Sequence, residues 1–96
     1  MTKKLPGRAF DAQDFLTTPE DRAGMLAAVA ELGDADAFRA MLLHVAKAEG
    51  MAEMARRTGL GEKTLFRSLG KSGNPTLDTI DKVLHAVGLR LNVSPM

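Results

Sequence analysis

Apolar residues recur along this 96-residue chain mostly at helical spacing. Leu26, Val29, Ala30 and Gly33 fall at helical spacing. Ahead of them, Thr18-Pro19-Glu20-Asp21 supplies a cap, a proline suited to the first helical position and two acids opposing the positive helix end. The pattern predicts a helix over residues 18 to about 32, stopped at Gly33. Asp34 can cap a second helix reaching about residue 49, with Phe38, Met41, Leu42 and Val45 on its apolar stripe. Gly50 breaks it. Two short helices follow, over 51–58 and 62–69. The polar loop Gly70-Lys71-Ser72-Gly73-Asn74-Pro75 carries turn chemistry. Thr76 then caps a fifth helix with Leu77, Ile80, Val83, Leu84 and Val87 on one face, ended by Gly88.

Only Leu89-Arg90-Leu91-Asn92-Val93 alternates apolar and polar clearly enough to predict a strand. A lone strand has unpaired backbone groups, so it calls for a mate. That mate is a second copy of the chain, making these five residues a dimerisation edge, or another binding partner; an extended tail lying along the helices is the equal alternative. The expected fold is all-α, a small five-helix bundle with a short C-terminal strand. Residues 18–96 form one globular domain, and 1–17 an N-terminal arm with one short helical turn over Phe10-Asp11-Ala12-Gln13-Asp14-Phe15-Leu16.

The third and fourth helices carry the one constellation with a chemical implication. Ala55 and Gly59, four residues apart, provide the small residue at a tight helix crossing and the glycine at the turn. Met54, Leu60 and Leu65 then face inward. This is the pattern of a helix-turn-helix, whose second helix enters the DNA major groove. Glu62, Lys63, Phe66 and Arg67 lie on the outward side of that helix. Arg67 can bond guanine O6 and N7 as a fork, and Lys63 can reach a base or a phosphate. Phe66 can touch thymine methyls, although folding back over the loop or the last helix is the favoured reading. Thr64 can bond a phosphate oxygen. Lys71, with the backbone N–H of Ser72, can hold a phosphate after the helix. Arg56 and Arg57 either flank the DNA backbone or complement the negative end of their own helix.

Charge sharpens this reading. Residues 1–50 hold 6 Lys+Arg against 8 Asp+Glu, whereas residues 51–96 hold 7 against 4. The positive charge therefore gathers on the motif, as a footprint for phosphate should. Cysteine is absent, so there is no disulfide framework or thiolate metal site. No apolar run approaches membrane-span length, and the basic N-terminus lacks the apolar stretch of a secretion signal. The chain reads as a soluble cytoplasmic protein. Neither His44 nor His85 is read as part of a ligand set. With no nucleophile elbow, P-loop or paired-histidine signature, it is not expected to be an enzyme or to need a metal or cofactor.

Over about residues 8–93 the chain resembles the addiction-module antidote proteins, the helix-turn-helix antitoxins of type II toxin–antitoxin pairs within the broader lambda-repressor-like class. The resemblance rests on the segment from Phe10 to Leu16 and on Thr18-Pro19-Glu20-Asp21. It continues through residues 50–60 and Thr64-Leu65-Phe66-Arg67-Ser68-Leu69, and closes with residues 73–79 and 83–91. It implies a protein that neutralises a small cognate toxin, usually one that cleaves messenger RNA on ribosomes. It also implies binding to double-stranded operator DNA, repressing the protein's own operon. By the same resemblance, Lys63, Thr64, Phe66 and Arg67 fall on the recognition helix. Relatives usually have Ser where this chain has Gly61, and often Tyr where it has Phe66. The resemblance assigns no toxin contacts. Phe10, Asp11, Asp14, Phe15 and Leu16 are candidates, because an acidic, foldable arm should attract a basic toxin; packing of the arm on its own bundle is the alternative. A homodimer reading two half-sites suits a module this small. The alternatives to an antitoxin are a stand-alone phage- or plasmid-type repressor and a helical interaction module without DNA affinity.

Overall fold

The computed structural model of the chain describes residues 18–96. Five helices follow one another: α1 Pro19–Ala30, α2 Ala35–Glu49, α3 Met51–Thr58, α4 Glu62–Leu69 and α5 Leu77–Ala86. Their starts follow local chemistry. Thr18 accepts a hydrogen bond from Asp21 N–H at 3.1 Å, Asp34 from Asp36 and Ala37 N–H at 3.0 and 3.1 Å, and Thr76 from Thr79 N–H at 3.1 Å. Each satisfies donors that a helix N-terminus leaves open. The first helix stops two residues before the expected end. Leu32 and Gly33 donate instead to Val29 and Ala30 carbonyls, a tighter last turn that leaves Leu32 in solvent.

A single glycine joins α2 to α3. Gly50 adopts φ +102°, its N–H closes α2 on the Ala46 carbonyl, and its own carbonyl opens α3 by accepting from Met54 N–H. That left-handed backbone favours glycine. Gly61 also stands at a helix start, but with no side chain to cap α4. Its extended backbone (φ −73°, ψ 156°) suits serine, and an added Cβ meets nothing. Gly61→Ser should therefore stabilise the fold by about 0.5–1 kcal/mol, through the cap and through a less flexible unfolded chain. Urea denaturation will measure it; a lower midpoint would refute it.

The core is continuous. Leu42, Val45 and Ala46 of α2, Met54 of α3, Leu65 and Leu69 of α4 and Val83 of α5 are fully buried together, with Leu26, Met51, Leu84 and Val87 nearly so. Helix α1 packs on α2, and α3 packs against α2, α4 and α5. Four methionines behave as core filler: Met51 and Met54 are buried, and Met25 and Met41 pack against the core from its margin. Leu77 does not join the stripe expected of it. The buried residues of α5 begin at Val83, and Leu77 in the first turn stays 69% exposed.

Two arginines that the apolar pattern did not single out are buried as connectors. From α1, Arg22 donates to the Val87 carbonyl at 3.0 Å and pairs with Glu49 of α2. Arg39 of α2 donates to the Leu69 carbonyl at the end of α4, while Asp36 holds its Nε and Nη2 at 3.1 and 3.0 Å.

The C-terminal strand expected over Leu89, Arg90, Leu91, Asn92 and Val93 does not form; the described residues contain no strand. Helix α5 closes instead with a Schellman-type turn. Gly88, at φ +85°, donates to the His85 carbonyl, and Leu89 N–H donates to the Leu84 carbonyl at 2.8 Å. This turns Leu89 onto the core, while Val93 is 93% exposed and its N–H bonds the neighbouring Asn92 Oδ1. Alternation supplies two faces for a strand but no ladder. With no second extended segment beside it among the described residues, the tail stays irregular.

Candidate nucleic-acid interface

Helix α4 is amphipathic over only eight residues, and its two sides are sharply divided. Leu65 and Leu69 anchor it in the core, and Thr64 and Ser68 sit half-buried at its flanks. Glu62, Lys63, Phe66 and Arg67 face solvent, and Lys71 and Ser72 extend the exposed surface past the helix end. Among the described residues, Lys63, Arg67 and Lys71 have no ion pair and no side-chain hydrogen bond. Glu62 is likewise unpaired among them, so no local ion pair ties it to Arg67.

The end of α4 is held from two sides. Arg39 places its guanidinium on the Leu69 carbonyl, against the negative end of the helix. On the other side the loop wraps back, with Gly73 N–H donating to the Gly70 carbonyl at 2.8 Å. A Cβ on Gly73 would collide with the Ser68 and Arg67 carbonyl oxygens, and one on Gly70 with the Phe66 carbonyl. These glycines serve close approach of backbone to backbone. Gly73→Ala should cost about 1–2 kcal/mol by displacing the loop from α4. Thermal denaturation will show it; an unchanged midpoint would mean the loop yields freely.

Phe66 is 44% exposed. Lys47, in the last turn of α2, sets its ammonium 5.9 Å from the ring centroid. Lys47 thus adds a cation beside α4 that motif reading could not find, because it comes from a different helix.

Arg56 and Arg57 are engaged elsewhere. Both donate to Glu53, Arg56 through Nε at 3.0 Å and Arg57 through Nε at 2.8 Å. Arg57 also reaches the Ala86 carbonyl at 2.8 Å and stands 3.3 Å from Glu49, which in turn pairs with Arg22. Arg57 therefore ties α3 to α5 and α2, whereas Arg56, with its side chain 72% exposed, pairs only with Glu53 on its own helix. Hydrogen bonds from Arg56 first and Arg57 next lower the Glu53 pKa from 4.5 to about 2. The folded chain thus binds this proton more weakly than the unfolded one. The associated stability is complete above pH 4.5 and is lost as pH falls towards 2. Urea denaturation of wild type and Glu53→Gln should accordingly give midpoints that differ most at pH 7 and draw together as pH falls through about 2. A difference constant across that range would remove Glu53 from the acid response.

His85 stands 3.4 Å from Asp81, one turn earlier on α5, an acidic neighbour the sequence reading did not credit. Among the described residues no three His, Cys, Asp or Glu side chains gather as a metal-binding group, and no helix is long and apolar enough to cross a membrane. The arm residues Phe10, Asp11, Asp14, Phe15 and Leu16 lie outside the described residues.

A five-helix bundle presenting a short cationic helix is compatible with several roles, and relatives narrow them. The model of a family described as "Probable addiction module antidote protein" matches residues 7–95. The chain belongs to this family. An uncharacterized protein of Haemophilus influenzae is 30% identical to it over 93 residues, covering 97% of this chain and 94% of that one. No solved structure matches. Membership of the antidote family implies a cognate toxin as partner and a regulatory role.

Proposed function

We propose that this member of the antidote family is the antitoxin of a type II module, neutralising an RNA-cleaving toxin and repressing its own operon through α4. In this reading α3 and α4 act as a helix-turn-helix, and residues 18–96 form the DNA-binding unit of a cytoplasmic homodimer. Residues 1–17 form an arm that also engages the toxin. Arg67 reads a guanine, Lys63 reaches a base or phosphate, and Lys71 with the Ser72 N–H holds a phosphate beyond the helix. Thr64 and Phe66 line the same surface. Arg57 leaves the list of direct DNA contacts, since it serves Glu53, Glu49 and the Ala86 carbonyl within the bundle, whereas Arg56, exposed and paired only with Glu53 of its own helix, stays free to flank the DNA backbone.

The supporting observation is the exposure of Lys63 and Arg67, unpaired among the described residues, on a helix whose other side is fixed in the core. A surface ion pair would have occupied them within the protein. Left open, they are ready for phosphates and base edges. A stand-alone repressor would share this face, but the antidote family favours a module with a toxin.

Co-expression with the product of the adjoining reading frame tests both halves. The pair should co-purify, the chain should rescue growth when that product is toxic, and it should shift DNA from upstream of its own gene. A chain that binds the DNA but no neighbouring product is a stand-alone repressor; one that binds neither overturns the reading.

A further inference from the structure

A groove of about 630 Å³ opens between the α1–α2 connection, the start of α2 and the loop before α5. Phe38, Leu42, Pro75 and Ile80 make its apolar floor, and Asp34 and Asp36 stand among its walls. Its size suits one or two inserted apolar side chains. Leu32 and Leu77, exposed by 71% and 69%, each lie within two residues in sequence of a groove-lining residue, Gly33 and Pro75. Both leucines are large apolar groups left in solvent next in the chain to the groove's lining, where a docking partner could cover them.

The charge around the groove is acidic on balance: Arg39 also lines it but is buried and paired with Asp36, which leaves Asp34 as the acid of the lining without an ion pair among the described residues. Residues 18–50 carry six Asp+Glu and three Lys+Arg. Two of those cations, Arg22 and Arg39, are buried and spent on Glu49, Asp36 and backbone carbonyls. Glu31 is exposed between the groove-lining Ala30 and the exposed Leu32. A nucleic-acid ligand would be repelled here, and a second copy would bring like charge to like.

We infer that this groove is a docking site for the toxin, receiving a segment that presents apolar side chains beside Lys or Arg. The inference rests on the antitoxin reading, and it follows from charge. A protein that holds RNA for cleavage carries cationic surface, and that surface is what a neutraliser must meet. The apolar floor supplies the buried anchor and the acidic wall the orientation. The face used for the toxin then differs from the face of Lys63 and Arg67 that is offered to DNA.

The probe is the purified product of the adjoining reading frame, titrated against the full-length chain. Replacing both exposed leucines, Leu32→Lys with Leu77→Lys, should weaken binding at least about 30-fold, as loss of anchor contacts does. Operator shift and circular dichroism should be unchanged. Leu77→Ser alone should weaken binding in the same direction, and Glu31→Lys should weaken it more at low salt than at high. If wild type binds and the double variant binds equally well, the groove assignment is wrong and the antitoxin reading survives. If wild type does not bind that product, both fall. If the double variant dissociates a dimer while keeping its hold on the toxin, the groove belongs to a second copy and the inference is overturned.

Discussion

Replacing Lys63 and Arg67 together with alanine should weaken binding to the operator by about 2–4 kcal/mol, roughly 30- to 1,000-fold, without loss of fold. An arginine forked onto guanine contributes about 1–3 kcal/mol of discrimination, and a lysine on phosphate adds a salt-dependent contact that releases a counterion. The single variants should separate these roles. Arg67→Ala should relax the preference at one base pair, whereas Lys63→Ala, if the lysine meets phosphate, should weaken all sequences alike and reduce the salt slope by about one. Neither side chain has an ion pair or hydrogen bond among the described residues, so denaturation midpoints should hardly move. Mobility shifts on upstream DNA at several salt concentrations measure all three variants. Wild-type affinity in the double variant would remove α4 from the DNA-binding surface.

Arg39→Ala should destabilise the fold by about 2–4 kcal/mol, although no sequence motif marks this residue. Its guanidinium is buried between Asp36 and the Leu69 carbonyl, so truncation strips the end of α4 of a charged donor and opens space beside Leu42 and the loop. Lysine should restore little. A single ammonium cannot reproduce a planar fork that meets a carboxylate and a carbonyl at once. The loss should also reach function, because α4 would fray from its C-terminal end, where Arg67 lies. Urea denaturation and amide exchange across 62–70 check this. A cost below about 0.5 kcal/mol would show that the Leu69 carbonyl is as well served by water.

The helices were legible because their signals are short-range. Thr18, Asp34 and Thr76 announce themselves as caps by lying within three residues of the N–H groups they satisfy. Leu65 and Leu69, against Lys63 and Arg67, divide α4 into a buried and an exposed side by periodicity alone. The C-terminal strand failed for the complementary reason. Leu89 to Val93 has the local pattern, but a strand exists only through its neighbour, and Gly88 turns Leu89 onto the core instead. Arg56 and Arg57 were ambiguous for a related cause: charge clustering in sequence does not say whether an arginine faces a phosphate or, like Arg57, a carbonyl 29 residues away.

What the chain's order of residues determined alone was therefore the number of helices among the described residues, most of their starts, and which side of α4 meets water; caps, glycines and periodicity act within a turn or two, and each stretch carries its own instructions. Only the packed structure decided that Arg39 grips Leu69, that Lys47 joins Phe66, that Gly73 must lack a Cβ and that an acidic apolar groove opens beside Phe38 and Ile80. Those features arise where separate segments converge, and their positions follow from how whole helices share one small core.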